Sequence, residues 1–332
     1  MKWERKVVAI GGGTGLSTLL RGLKHYPLDI TAIVTVADDG GSSGRLRTEF
    51  NMLPPGDIRN VIVSLSKSET LMDRIMQYRF ETGEGLHGHS LGNLMLTAAT
   101  QLCNGSFVEA IGVMGQLLNA EGKVYPATER TITLCAEFED GTIVKGESLI
   151  PKVGKKIERI FLEEQDVRPV PEAIQAILDA DVIVLGPGSL YTSIIPNVLI
   201  DEIREAIQQS LAPVVYICNV MTQPGETTAF TANEHLSALE RFLGQGVVDT
   251  IIVNNESIDA SYLKKYQKDH ADIVTYNEKQ FELAGVEVLA ADIVDYNHHF
   301  IRHDSDAVAS LVMRKVLSIR RMRQLEGKEE LT

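Results

Sequence analysis

An apolar run, Val7-Val8-Ala9-Ile10, leads directly into Gly11-Gly12-Gly13-Thr14-Gly15-Leu16-Ser17, and this junction constrains the fold more than any other stretch. Consecutive apolar residues suit a strand covered on both faces, the environment of a parallel sheet flanked by helices. The glycines then let the backbone turn sharply, with no side chains to hold a ligand away, before a helix predicted over residues 16–24. First-turn amides of a helix have no intrahelical partners and sit at the positive end of its dipole. A phosphate is therefore a natural guest at Gly11, Gly12, Gly13, Thr14 and Gly15. A tight turn without a ligand is the alternative for this stretch taken alone.

The junction departs from both common phosphate motifs. A dinucleotide fingerprint G-x-G-x-x-G begun at Gly11 requires glycine where Leu16 stands, and begun at Gly13 requires it where Thr18 stands. A P-loop requires lysine, then serine or threonine, after its last glycine, and Leu16-Ser17 offers no lysine.

The same pattern returns downstream. Residues 30–36 predict a second buried strand that runs into Ala37-Asp38-Asp39-Gly40-Gly41-Ser42-Ser43-Gly44-Arg45. Asp38 stands 27 residues after Gly11, near the place of a ribose-binding acid in dinucleotide folds. Asp38, Asp39, Ser42, Ser43 and Arg45 together read as a ligand loop, although either aspartate alone reads equally as a turn residue. Asp57 reads as the cap of a helix starting near Ile58. Helical spacing follows through Leu71, Ile75 and Phe80, then over residues 90–102 and 107–118. Asn93, where His89-Ser90-Leu91-Gly92-Asn93 opens a helix, is a candidate ligand residue, with a packed interhelical turn as the alternative.

Residues 181–185 and Gly186-Pro187-Gly188-Ser189-Leu190-Tyr191-Thr192-Ser193 repeat the strand, small-residue corner and helix start. Gly186, Gly188, Ser189 and Thr192 are candidate phosphate ligands, and the Ser193 hydroxyl can join them. Two such corners reinforce each other, since open α/β sheets bind ligands at the carboxyl ends of their strands. Asn219 and Asn254 follow further predicted strands, where an amide can read a base or a sugar. Tyr266 can stack on a base and Arg302, after a short strand at Phe300-Ile301, can pair with a phosphate; ordinary surface roles are the alternative.

These elements predict an α/β fold: a Rossmann-like, doubly wound, mainly parallel sheet with a small inserted β-rich subdomain. The body takes residues 1–122 and 163–323, the insert 123–162, and a frayed tail 324–332. Strands are expected at 131–138, 142–148 and 157–162, with a hairpin turn at Glu139-Asp140-Gly141. The last helix is predicted over 304–323, where Arg320, Arg321 and Arg323 would complement its dipole.

A net charge of −13 over 332 residues excludes nucleic acid as the main partner, because phosphate contacts need basic surface. Cys103, Cys135 and Cys218 are odd in number and far apart, as expected of reduced core thiols. His87 and His89 lack further ligands at metal-site spacing. With no signal-peptide core and no run of about 18 apolar residues, the expected location is the cytoplasm, away from membranes.

Six strings in this order, Gly11 to Gly15, Val34 to Gly44, Pro55 to Asn60, His89 to Asn93, Gly186 to Ser193 and Cys218 to Glu226, resemble the bacterial gluconeogenesis factor family. That family lies within the superfamily of 2-phospho-L-lactate transferase, and the resemblance covers nearly the whole chain. It implies a ligand groove at the strand ends and a role in gluconeogenic growth, cell shape and cell-wall synthesis. It also implies binding of a nucleotide sugar (a UDP-sugar such as UDP-N-acetylglucosamine), a homodimer, and a protein partner in cell-wall regulation. No reaction is assigned to this branch. The transferase branch uses a nucleotide-activated donor, a metal ion and a deazaflavin acceptor; its phosphate loops map onto Gly11 to Gly15 and Gly186 to Thr192, its metal position onto Asp38 or Asp39. The expectations are therefore a regulator requiring no cofactor, or a Mg²⁺-dependent phosphotransferase assisted by Arg45 or Arg59. NAD is a third ligand for the same cleft.

Overall fold

The computed structural model describes residues 5–67, 71–296 and 301–329, with side chains up to Ser318. The chain begins β1 (Arg5–Gly11), α1 (Gly13–Leu23), β2 (Leu28–Val34), α2 (Gly41–Phe50) and α3 (Pro55–Leu65). It continues with α4 (Leu71–Gln77), α5 (Leu91–Leu102), α6 (Phe107–Leu117) and β3 (Lys123–Pro126). An antiparallel unit follows, β4 (Leu134–Phe138), β5 (Ile143–Lys145) and β6 (Ile157–Leu162), and then β7 (Val182–Leu185), β8 (Val214–Ile217), β9 (Thr250–Asn254) and β10 (Glu287–Ala291).

Seven strands form one sheet in the order β10-β9-β8-β7-β1-β2-β3, with every pairing parallel. Val7, Val8, Ala9 and Ile10 are inaccessible to solvent, as the apolar run requires of a central strand. The strand order reverses between β1 and β7, where Ile10 is in register with Leu185. Gly11 and Gly186 therefore leave neighbouring strands at the switch point, which places the two glycine corners side by side.

Proline at the first turn starts α3, and the Ser90 and Ser106 hydroxyls accept the Asn93 and Glu109 amides to start α5 and α6. The final helix, Ser305–Glu329, packs closely on α1, since a Cβ on Gly22 would lie 2.1 Å from the Ser305 carbonyl oxygen.

Several expectations change. The stretch expected as a loop after β2 is helical from Gly41, because burial of Ser42, Ser43 and Leu46 overrides a Gly/Ser-rich sequence of poor helix propensity. Lys123–Pro126, expected at the start of the insert, is instead the edge strand of the main sheet beside β2. The separate three-stranded sheet, in the order β5-β4-β6, begins later. Helix α4 ends at Gln77, short of Phe80. The last helix continues to Glu329 rather than fraying from residue 324, while residues 330–332 and the side chains of Arg320, Arg321 and Arg323 lie outside the description. The short strand is Arg302–His303, and Phe300 also lies outside the described residues.

Candidate functional site

The two corners touch. A Cβ on Gly15 would lie 2.4 Å from the Pro187 carbonyl oxygen and 3.0 Å from Gly188 Cα. Only glycine allows two main chains this close, so the first turn of α1 and the corner after β7 form one surface. Ser193 seals the joint, its Cβ lying 3.6 Å from a Cβ built on Gly12 and 3.2 Å from one on Gly188. Asn197, fully buried, clamps it from behind by donating to the Ser193 carbonyl at 2.8 Å and the Gly11 carbonyl at 3.3 Å.

A cleft of about 610 Å³ opens on this joint, large enough for a nucleotide-sized ligand. Gly12, Thr14, Gly15, Gly188 and Ser189 line it at one end, and Asn219, Tyr266 and Arg302 also reach it. The Ser189 hydroxyl accepts from Gln223 Nε2 at 2.7 Å and so keeps its own proton to give to a ligand. Tyr266 Oη accepts the Ile301 amide at 2.8 Å, fixing the chain just ahead of Arg302.

Carboxylates of the chain itself meet both corners. Asp57 is not the cap of its own helix; it lies inside α3 and accepts from the Gly13 amide across the interface. Burial, reinforced by Asp38, pushes its pKa up to about 7. At the second corner Glu226 accepts from the Tyr191 amide at 3.2 Å and the Thr192 hydroxyl at 3.0 Å. Burial pushes Glu226 up to about 7 as well. Glu147, carried by the insert, is pushed up to about 8 by burial and by Asp38, Asp57, Glu226 and Asp39.

Asp38 and Asp39 do not line the cleft; Asp38 lies close enough to Asp57, and both lie close enough to Glu147, to raise those groups. Asp38 Oδ1 accepts the Gly40 amide and Asp39 Oδ1 the Ser148 amide, both at 2.9 Å, so Asp39 ties the insert to the body. Glycine is required at Gly146, with φ +106, where a Cβ would lie 2.4 Å from Asp39 Oδ2.

Other expected ligand residues have different duties. Thr192 is buried and spends its hydroxyl on Glu226, and it is Ser193, one position on, that lines the cleft. Gly11, Gly13 and Gly186 do not line it: Gly11 and Gly186 pack behind the joint, and Gly13 faces Asp57. Asn254 closes a local turn by donating to the Glu256 carbonyl at 2.8 Å. Ser42, Ser43, Arg45 and Asn93 do not line the cleft, and the Asn93 side-chain amide donates to Ser42 Oγ at 3.0 Å. All three cysteines are free thiols. Among the described residues no helix is long and apolar enough to cross a membrane.

The sequence profile described as 2-phospho-L-lactate transferase CofD matches residues 7–294. The chain is 52% identical over 313 residues to the gluconeogenesis factor of Bacillus subtilis (strain 168), covering 94% of this chain and 98% of that one. It is 46% identical over 315 residues to the gluconeogenesis factor of Listeria monocytogenes, covering 94% and 97%. A crystal structure of a Bacillus halodurans protein, 52% identical, superposes with a TM-score of 0.91 over 93% of this chain and 99% of that chain.

Proposed function

The chain belongs to the 2-phospho-L-lactate transferase CofD family, and from that premise we propose that it is a gluconeogenesis factor whose cleft binds a nucleotide sugar. The ligand is of the UDP-N-acetylglucosamine type, and its occupancy is reported to the machinery of gluconeogenic growth, cell shape and wall synthesis. The observation that carries this reading is the contact of the two glycine corners at one end of a cleft that also holds Tyr266 and Arg302. A diphosphate would lie against the first-turn amides of α1, where Gly12 provides no side-chain cap, and take the Ser189 proton. Tyr266 offers a ring to the base, and Arg302 a charge to the phosphates. The regulator acts as a homodimer with a protein partner in the cytoplasm, and the charge of −13 supports a small ligand over nucleic acid.

A second reading, a Mg²⁺-dependent phosphotransferase, is favoured by the acids gathered around Glu147. Among the described residues no three acidic, histidine or cysteine side chains converge as a ready cage for a metal. Mg²⁺ is commonly held by one or two carboxylates completed by substrate phosphates, and Asp38 or Asp39 fits that partial role. When bound, the ion would neutralise charge on the phosphoryl oxygens.

Thermal unfolding of the full chain with UDP-N-acetylglucosamine, NAD or GDP, each with and without Mg²⁺, tests both readings. A ligand at 100 times its Kd adds about 2.7 kcal/mol. The nucleotide sugar should give the largest shift, with no product by mass spectrometry. A larger response to NAD or GDP would displace it as the ligand, and release of UMP or sugar transfer would establish the transferase.

A further inference from the structure

We infer that the outer face of α6, with the edge strand β3 beside it, is the surface on which a second copy of this chain docks across a two-fold axis. The inference rests on the homodimer included in the reading above and names the face that makes it. Helix α6 turns Phe107, Ala110, Ile111 and Met114 into the core. The opposite stripe, Gly112, Val113, Gln116 and Leu117, faces outward. Val113 and Leu117, four positions apart and so on one side of the helix, are each about half exposed. Just ahead of α6, Leu102 at the end of α5 is 83% exposed.

Beside these side chains a hollow of about 490 Å³ opens between α6, α3 and β3, with Ile62, Ile111, Gly112, Gly115 and Val124 in its wall. A Cβ on Gly112 would meet nothing within 4 Å, and one on Gly115 only the Ala120 Cβ at 4.0 Å, so the two glycines keep the hollow open. Projecting apolar side chains and a hollow able to receive them are thus carried by one helix. A two-fold interface needs that arrangement, because the same patch must both insert and receive. Strand β3 is four residues long and ends in Pro126, which has no amide hydrogen. Pairing of strand edges between copies is therefore blunted, and the helix face makes the contact.

Charge selects a second copy as the occupant. Two chains of net charge −13 repel over most of their surfaces and can meet closely only where the surface is neutral. No residue from Ala110 to Ala120 is charged, although 23% of the chain is, and the cores of interfaces are depleted in charge. Glu109 stands in the first turn of α6, at one end of the stripe, and Lys123, which lines the hollow, follows its other end. A two-fold axis across the middle of the helix brings Glu109 of each copy toward the opposite copy's lysine. Among the described residues Lys123 has an exposed pairing with Asp29, at 3.6 Å, to give up in exchange. A stable interface covers about 800 Å² on each partner. That is more than one face of the 11-residue α6 offers, and Leu102 and β3 extend it on either side. None of these residues lines the cleft.

The test is sedimentation velocity of the full chain over a concentration series, with light scattering to give the mass. The wild type is expected to be a dimer. Val113→Asp and Leu117→Asp set acids against each other across the axis, and each should weaken dimerisation at least tenfold while circular dichroism shows a native fold. Leu117→Met should keep the dimer. Leu283→Asp adds the same charge at an 89% exposed position on the helix Glu278–Leu283 and should also keep it. A wild-type dimer that Leu117→Asp leaves intact, or that Leu283→Asp dissociates equally, overturns the inference while the homodimer stands. A wild-type monomer overturns both. Thermal unfolding of the Leu117→Asp protein with UDP-N-acetylglucosamine reads the cleft separately, so a failed interface and a failed ligand are told apart.

Discussion

The Thr192 hydroxyl donates to Glu226 Oε1 at 3.0 Å, so a carboxylate of the chain occupies part of the second glycine corner before any ligand arrives. Glu226 also lines the cleft, and with its pKa near 7 its charge changes around neutrality. At pH 8 the ionised group repels a diphosphate; at pH 6 it is mostly protonated. Glu226→Gln should therefore bind UDP-N-acetylglucosamine about threefold to tenfold more tightly at pH 8, or about 0.7–1.4 kcal/mol, with little change at pH 6. Calorimetry at both pH values checks this. Equal weakening at both would show that the carboxylate positions the corner rather than opposing the ligand.

Asp57, Glu147 and Glu226, with folded pKa values of about 7, 8 and 7, make stability fall with rising pH. Each value lies above the unfolded one, so the folded chain holds protons that the unfolded chain releases. Their stabilising contribution is complete below about pH 4 and is lost as pH rises through about 7 to 8. Tm should decline from about pH 5 to about pH 8, and Glu147→Gln should flatten the decline. If these acids accept a divalent cation, Mg²⁺ should raise Tm at the alkaline end and hardly at the acid end. A Tm that climbs over this range would contradict the assignment.

Gly15 and Gly112 should respond oppositely to alanine. At Gly15 the new methyl would lie 2.4 Å from the Pro187 carbonyl oxygen and force the corners apart. We expect a loss of about 1–3 kcal/mol in urea unfolding together with loss of nucleotide-sugar binding. Gly112 lies within α6 with nothing within 4 Å of such a methyl, so Gly112→Ala should gain up to about 1 kcal/mol through helix propensity.

Tyr266 has two separable parts, a ring in the cleft and a hydroxyl bound to the Ile301 amide. Tyr266→Phe keeps the ring and frees the strand that carries Arg302, so affinity for the nucleotide sugar should fall by about threefold to tenfold, or about 0.7–1.4 kcal/mol. Tyr266→Ala and Arg302→Gln should each cost more. Competition binding distinguishes these outcomes, and a phenylalanine variant as weak as the alanine one would put the whole effect in the hydroxyl.

Much of the architecture was legible because apolar runs ending in small residues signal parallel strands, and β1 and β7 carry that signal locally. What sequence could not supply is where side chains travel. Asp57 sits where a helix cap belongs, and nothing local says that its carboxylate reaches α1. Glu147 comes from the insert and faces acids more than a hundred positions earlier, a proximity only folding creates. Thr192 and Ser193 are both plausible ligands in the string, but a π-helical turn over Leu190–Ile194 turns Thr192 inward and leaves Ser193 on the cleft. For Asn254, the asparagine itself was a readable sign of an Asx turn, since its side chain bonds the backbone two residues on.

With β1 and β7 hydrogen-bonded as neighbours, the joint of the two glycine corners is set when the sheet forms. Capture of a ligand there should then be limited by encounter and orientation. Substitutions in the lining of the cleft should show themselves chiefly in how long the complex survives, and much less in how fast it forms.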